Sequence, residues 1–247
     1  MANCRNMRLG AVILGLAAMA TPASADPRPV VIELFTSQGC SSCPPADALL
    51  GELARRAGVV ALGFHISYWD RLGWKDPLSS PSSTARQKAY ALRLTGGQVY
   101  TPQIVVEGTD EMVGSDRAAV LGAVREAKPE ATAPVSFAED RRSVAIGGGI
   151  GKGGIGKGGI GRGDIGRGDI VLVRFAQHRT VHVGAGENTG RVADDFNGVE
   201  SLTPLGTWEG SSQSFPIEPP AAGEGLAVLV QAPDGHMLGA ALLLGSG

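Results

Sequence analysis

The sequence has few cysteines, few aromatic residues and no excess of positive charge. It contains three cysteines among 247 residues, 5% of the residues are aromatic, and the formal net charge is −2. A nucleic-acid partner requires a basic patch, so the charge argues against nucleic-acid binding. Hydrophobic residues make up 43% and charged residues 19%, which is enough apolar material for a packed core and unlike a disordered chain.

The N-terminal segment has the pattern of an export signal. Arg5 and Arg8 precede an apolar run over residues 9–20, and Ala23-Ser24-Ala25 fits a small-x-small cleavage site. The run is shorter than the roughly 20 residues that a membrane-spanning helix needs. We therefore predict a signal peptide over residues 1–25, a periplasmic or secreted mature protein, and no stable membrane span after cleavage. An uncleaved membrane anchor is the alternative.

The signal peptide changes how the three cysteines are interpreted. Cys4 would leave with it, so the mature chain would keep Cys40 and Cys43, spaced C-x-x-C. A disulfide between them closes a loop with two intervening residues, and so small a loop removes little entropy from the unfolded chain. We therefore predict a Cys40–Cys43 disulfide that serves as a reversible redox couple rather than as a structural staple.

The segment over residues 28–130 alternates between buried strands and amphipathic helices. Strands are predicted at 30–35, 59–66, 99–107 and 111–113, and helices at 46–57, 83–94 and 117–128. The order strand, helix, strand, helix, strand, strand, helix is that of the thioredoxin fold. The predicted class is therefore α/β, with a thioredoxin-like N-terminal domain.

From residue 134 to residue 247 the pattern changes to short strands between Gly, Pro and Asp residues. Candidates lie at 135–137, 143–146, 170–175, 180–183, 214–217, 226–231 and 237–244. This predicts an added C-terminal all-β region, either a small sandwich or an added sheet. Residues 147–169 repeat a glycine-rich unit of five residues, which predicts a flexible loop without chemistry of its own.

The predicted chemistry lies at the two cysteines. Cys40 is expected at a helix N-terminus, where unpaired N–H groups and the helix dipole stabilise a thiolate, and Cys43 is expected to resolve the mixed disulfide. The prediction requires that the two sulfurs lie close together and that Cys40 is open to solvent. A Cys40 sealed off from solvent would contradict it.

Other candidate residues are expected around this pair. Thr101-Pro102 opens a later strand, where a cis proline would pack beside the dithiol and leave backbone groups for a substrate; an ordinary trans loop proline is the alternative. Glu33 is either a proton shuttle for Cys43 or a polar residue at a strand edge. The remaining candidates follow the second strand and are predicted to line the dithiol cleft: His65, Tyr68, Trp69 and Asp70. For His65, a packed and hydrogen-bonded role is the alternative to an acid–base or ligand role.

Several longer motifs support a family resemblance. FTSQGCSSCPPAD at residues 35–47, HISYWDRLGWKDP at 65–77, RQKAYA at 86–91 and VYTPQ at 99–103 together resemble a bacterial exported thioredoxin-like family, catalogued as domain of unknown function 1223. GENTGR at 186–191 and LGTW at 205–208 resemble the tail of that family, whereas the glycine repeat departs from it. The resemblance implies a thioredoxin-like fold and a redox site, but no particular substrate.

Three functions are compatible with these patterns. The leading hypothesis is an exported thiol–disulfide oxidoreductase that acts on protein or small thiol and disulfide substrates and needs no cofactor. The second is a protein that binds Cu(I) through the two thiolates, with His65 assisting. The third is a binding module whose thioredoxin-like fold holds an inert disulfide. The sequence specifies neither the substrate nor the oligomeric state.

Overall fold

The structure, a computed structural model, describes Met1, residues 28–148 and residues 166–246. The predicted signal peptide and most of the glycine repeat lie outside the described residues. The described chain is a mixed α/β protein with an eight-stranded sheet, a three-stranded sheet and few helices. None of its helices combines the length and the apolar character that a membrane crossing requires.

The described residues contain three α-helices, one short 3-10 helix and eleven strands. The helices are α1 Pro44–Ala54, α2 Pro81–Leu94 and α3 Arg117–Glu126, with a short 3-10 helix at Asp70–Leu72. The strands are β1 Val30–Thr36, β2 Val59–His65, β3 Gln103–Val106, β4 Asp110–Val113, β5 Val135–Phe137, β6 Ser143–Ile146, β7 Gly168–His182, β8 Val192–Trp208, β9 Gln213–Pro216, β10 Glu224–Gln231 and β11 Met237–Leu244.

The N-terminal half of the chain forms one side of the large sheet. β1 is parallel to β2 and antiparallel to β3, and β4 follows β3, which gives the order β2-β1-β3-β4. Side chains alternate along β1 because successive residues of a strand point to opposite faces. Ile32 and Leu34 pack with α1 and α3, whereas Phe35 packs with Tyr90 of α2 on the other face.

The C-terminal strands extend the same sheet. β8 lies beside β2, where Gly198 pairs with Gly63, and the order continues through β7 and β10 to β11. The second sheet has the order β5-β6-β9, and a separate core that includes Trp208 lies between it and β10 and β11.

The prediction of two strands at 170–175 and 180–183 was wrong, because both belong to the single strand β7. β8 was not predicted at all, although it is 17 residues long. It contains Pro204, Gly198 and Gly206, residues that ordinarily interrupt a strand. Long-range pairing with β7 holds it together across two shifts in register. Local sequence pattern cannot report such pairing.

The hairpin of β7 and β8 packs against the first helix. Gly51 of α1 faces Phe196 of β8 so closely that a Cβ at residue 51 would lie 2.5 Å from the Phe196 ring. The absence of a side chain at Gly51 therefore lets β8 approach α1. This contact brings the loop between β7 and β8 to the end of α1 that carries the cysteines.

Candidate redox site at the start of helix α1

Cys40 and Cys43 form a disulfide in the turn between β1 and α1. Their Cα atoms are 5.4 Å apart, and Cys43 is the N-cap residue of α1. The turn is held by main-chain hydrogen bonds, since Cys40 N donates to Ser37 O at 3.1 Å and Cys43 N donates to Cys40 O at 3.2 Å. The redox prediction requires two sulfurs that lie close together and a Cys40 that is open to solvent. The disulfide meets the first requirement.

Two hydroxyl groups contact the Cys40 sulfur. Thr101 Oγ1 donates to Cys40 Sγ at 3.4 Å, and Ser42 Oγ lies 3.3 Å from the same sulfur. Thr101 Oγ1 in turn accepts a hydrogen bond from Trp69 Nε1 at 2.9 Å, which fixes its orientation. The peptide bond between Thr101 and Pro102 is cis, as the position of this proline predicts.

The start of α1 offers fewer N–H groups than a helix N-terminus ordinarily does. Pro44 and Pro45 have no N–H, and the amides of Ala46 and Asp47 donate to Cys43 O at 2.8 and 3.1 Å. Unpaired amides are therefore scarce next to the sulfurs. The assigned donor at Cys40 Sγ is the Thr101 hydroxyl, whereas the Ser42 hydroxyl also donates to Thr101 O at 3.5 Å. A side-chain hydroxyl therefore faces this sulfur where the sequence predicted the helix backbone.

Solvent does not reach the disulfide in this conformation, since both Cys40 and Cys43 are 0% exposed. The expectation of an open Cys40 was therefore wrong. The loop of residues 184–191 between β7 and β8, here called the cover loop, lies over the turn. Glu187 Oε2 accepts from Ser41 N at 3.1 Å and from Ser41 Oγ at 2.7 Å, and Asn188 Nδ2 donates to Cys40 O at 2.8 Å.

A buried histidine and two carboxylates lie below the turn; His65, Asp76 and Asp195 are here called the histidine cluster. His65 Nδ1 is 2.7 Å from Asp76 Oδ2, and His65 Nε2 is 3.7 Å from Asp195 Oδ1. Burial lowers the pKa of an imidazole, but the surrounding carboxylates outweigh that effect and raise the pKa of His65 to about 9. His65 is thus a buried cation at neutral pH, held between two acids.

Gln38 connects the histidine cluster to the cysteines. Its main-chain N donates to Asp76 Oδ2 at 2.8 Å, and its Nε2 donates to Asp195 Oδ2 at 2.5 Å. Above it, Asn188 Nδ2 also donates to Gln38 O at 2.9 Å. Because Gln38 lies two residues before Cys40, the cluster fixes the turn that carries the disulfide.

Asp47 lies on α1, one turn after Cys43. It is partly buried and accepts a hydrogen bond from Thr36 Oγ1 at 2.7 Å. Burial raises the pKa of Asp47 to about 7, although the Thr36 hydroxyl acts in the opposite direction. Residues four apart on a helix lie on the same face, so this carboxyl group lies on the Cys43 face of α1 and can hold or release a proton near neutral pH.

Glu33 belongs to a different network. Its carboxylate accepts from Arg86 at 2.5 and 2.7 Å and from Tyr90 Oη at 2.8 Å, and the residue is 1% exposed. The strand-edge interpretation is wrong, because β1 is a central strand. The proton-shuttle role stays a prediction, and the carboxylate that it requires is engaged by Arg86 and Tyr90. The alternation of side chains along β1 turns it toward α2.

The residues at the end of β2 and after it were predicted to line the dithiol cleft, but they do not all face it. Trp69 reaches the cleft through its hydrogen bond to Thr101. Tyr68 packs against the core next to Trp69, and burial raises the pKa of its hydroxyl group. Asp70 faces the loop instead, where its Oδ2 accepts from Ser79 Oγ at 2.6 Å. His65 points into the histidine cluster, in agreement with the packed and hydrogen-bonded alternative.

Five residues of this site were not identified from the sequence: Gln38, Asp47, Asp76, Asn188 and Asp195. The spacing of four residues between Cys43 and Asp47 is a signal that could have identified Asp47. Asn188 lies in the GENTGR motif at 186–191, a signal that was linked to the family but not to the cysteines, and Asp195 has no such signal. Both lie about 150 residues from the cysteine turn in the sequence, on the hairpin that includes the unpredicted strand β8.

The fold and the site together define a mixed α/β protein with a covered CXXC disulfide at the start of its first helix. The family model "Protein of unknown function (DUF1223)" matches residues 31–231, and the chain belongs to that family. The predicted membership of the domain of unknown function 1223 family is therefore confirmed.

Two solved structures are similar. An Agrobacterium tumefaciens protein, known from a crystal structure, is 31% identical, with a TM-score of 0.69 over 90% of this chain and 97% of the other. HBP35 of Porphyromonas gingivalis is 13% identical, with a TM-score of 0.52 over 87% of this chain and 74% of the other, which is a likeness of fold alone. No curated protein matches the chain.

Proposed function

We propose that the protein is an exported thiol–disulfide exchange protein of thioredoxin-like fold, in which exchange requires the cover loop to move away from Cys40. The order β2-β1-β3-β4, with β3 antiparallel to β1 and helices on both faces, supports the thioredoxin-like assignment. The predicted signal peptide supports export. The observation that carries the redox role is the hydrogen bond from Thr101 Oγ1 to Cys40 Sγ.

A hydroxyl donor at Cys40 stabilises the charged form of that sulfur and therefore favours a thiolate. In the reduced protein, the Cys40 thiolate attacks one sulfur of a substrate disulfide, and the other substrate sulfur leaves as a thiolate. The Cys43 thiolate then attacks Cys40 Sγ and releases the second substrate thiol. The protein ends as the Cys40–Cys43 disulfide, and the substrate has gained two electrons and two protons; the reverse sequence oxidises a dithiol.

Asp47 has the properties of a proton acceptor for the Cys43 thiol. The thiol must lose its proton before it can attack, and a carboxyl group with a pKa of about 7 exists in both protonation states near neutral pH. Its position one turn after Cys43 supports this role. Thr36, which donates to Asp47, holds the carboxyl group in place.

A direct test uses cysteine variants and oxidised glutathione. In Cys43→Ser, Cys40 is the sole cysteine of the mature chain and should form a stable mixed disulfide with one glutathione, which mass spectrometry detects. Cys40→Ser is the matched control, and we expect no adduct because the Thr101 hydroxyl donates to the Cys40 sulfur and not to that of Cys43. Equal adducts in both variants, or no adduct in either while the folded state persists, would refute the proposal.

An inert disulfide in a binding module is the second candidate, and the zero exposure of Cys40 favours it. This candidate predicts that dithiothreitol reduces the pair only when the protein unfolds. The copper alternative has less support. Within residues 28–148 and 166–246 no group of three or more His, Cys, Asp and Glu side chains is arranged to hold a metal, and His65 is directed at Asp76 and Asp195.

A further inference from the structure

The first half of β8 has a free edge. β8 pairs with β7 along its length, but with β2 only at Gly198. Val183 N donates to Arg191 O at 2.9 Å, so the main chain of Arg191 faces β7. Because the direction of N–H and C=O groups alternates along an antiparallel strand, the main chains of Val192 and Asp194 face away from β7.

A cavity lies beside this edge, between β8 and the first turn of α1. Its volume is about 550 Å³, and Val192, Ala193 and Asp194 of the free edge contribute to its lining. The opposite wall comes from α1, where Pro44, Asp47 and Ala48 line the cavity. The space is therefore bounded by an open strand edge on one side and by the helix that follows the disulfide on the other.

A buried amide side chain, Asn188, is among the residues that line the same cavity. Asn188 is 4% exposed, and its Nδ2 donates to the carbonyl oxygens of Gln38 and Cys40. Its Oδ1 has no hydrogen-bond partner within the described part of the chain. The oxygen itself is closed to solvent, so a donor in the cavity would reach it only after the Asn188 side chain turns.

We propose that this cavity binds an extended polypeptide segment, which adds as a strand to the free edge of β8. Main-chain groups at an open edge are complementary to another main chain, and a peptide supplies N–H donors and C=O acceptors at the spacing of Val192 and Asp194. The proposal does not depend on redox activity, since it uses neither sulfur.

The chemistry of the walls selects neutral, apolar side chains on the bound segment. Val183, Val192 and Phe196 provide apolar surface, and Val192 is 50% exposed in the free protein. The Asp194 carboxylate is already engaged outside the cavity lining, since its Oδ1 accepts from Thr180 Oγ1 at 2.8 Å and lies 3.0 Å from His178 Nε2. A small aliphatic side chain pointing into the cavity therefore loses no charge interaction and gains apolar contact.

The test uses a labelled hexapeptide of alternating threonine and valine, acetylated and amidated, with fluorescence anisotropy as readout. The fully N-methylated peptide is the matched probe, because it keeps the side chains but donates no main-chain hydrogen bond. We expect it to bind at least about tenfold more weakly, as the loss of two hydrogen bonds implies. No binding of the unmethylated peptide, or equal binding of both peptides, would overturn the proposal.

Protein variants locate the site. Ala48→Trp fills the cavity from an exposed position of α1 and should weaken binding by about tenfold or more, as expected from blocking the same contacts. Ala118→Trp, at an exposed position of α3, is the control and should bind as the unaltered protein does. In amide hydrogen exchange, the peptide should slow the amides of Val192 and Asp194. Unchanged exchange at both amides, or unchanged binding by Ala48→Trp, would contradict the assignment to β8.

Discussion

The two sides of the Cys40–Cys43 disulfide are built differently. Below it, the histidine cluster and Gln38 are each 5% exposed or less, and charged groups hold them together. Above it, no charge pair is involved: the cover loop reaches the cysteine turn through the exposed Glu187, which bonds the exposed Ser41, and through the buried but neutral amide of Asn188. Buried charge pairs are costly to break, whereas exposed hydrogen bonds exchange readily with water. The difference predicts a rigid base under the disulfide and a removable cover over it.

The largest expected effect comes from breaking the base. Asp76→Asn should lower the free energy of unfolding by about 3 kcal/mol, because it leaves the His65 cation in a buried site with one of its two carboxylate partners removed. Urea unfolding followed by circular dichroism measures the change. Glu52→Gln is the control, since its pair with Arg117 is exposed and should leave stability unchanged. Equal stability of the two variants would show that the base is not rigid.

The pH dependence of stability probes the same base. The pKa of His65 is about 9 in the folded protein against 6.5 as the ordinary value, so the folded state binds the proton more tightly. The contribution of protonated His65 to the free energy of unfolding is complete below pH 6.5 and is lost as the pH rises through about 9. Unfolding free energies measured from pH 7 to about 9 should therefore fall. His65→Gln should flatten this slope, and an equally steep slope in the variant would assign it to other groups.

The hydroxyl group at Cys40 should have an intermediate effect. Thr101→Val keeps the shape of the side chain but removes the hydrogen bond to Cys40 Sγ. We expect the pKa of the Cys40 thiol to rise by about one unit. Exchange with glutathione at neutral pH should slow by about threefold, because the smaller thiolate fraction is partly offset by a more nucleophilic thiolate. Iodoacetamide alkylation of reduced Cys43→Ser as a function of pH gives the pKa. Thr109→Val, at an exposed turn, should change neither quantity.

The smallest expected effect comes from loosening the cover. Glu187→Ala removes both hydrogen bonds to Ser41 while leaving the buried Asn188 in place. Reduction of the disulfide by dithiothreitol should accelerate about threefold, as expected for exposed hydrogen bonds. Glu209→Ala, an exposed carboxylate just after the far end of β8, should leave the rate unchanged. A rate that Glu187→Ala does not change would mean that the cover loop does not control access.

The sequence predicted the turn that carries the cysteines better than the groups below and above it; of the base, only His65 was among the predicted site residues. The apolar patterns of β1, α1 and β2 are local, and they located the cysteine turn and the position of His65. The burial of Cys40 could not be predicted, because the residue that bonds its carbonyl oxygen, Asn188, lies 148 positions away in the sequence. Asp195 was missed for the same reason, because it lies 157 positions from Gln38, the residue of the cysteine turn that it bonds. Contacts that close a site from a distant hairpin leave no periodicity in either segment.

The central claim is that the disulfide exchanges through opening of the cover loop and not through unfolding. The measurement is the reduction rate of the native protein over rising dithiothreitol concentrations, compared with its global unfolding rate under the same conditions. We predict a rate that exceeds global unfolding, levels off at high dithiothreitol and increases in Glu187→Ala. A reduction rate equal to the unfolding rate, and identical in Glu187→Ala, would contradict the account and identify the pair as an inert disulfide.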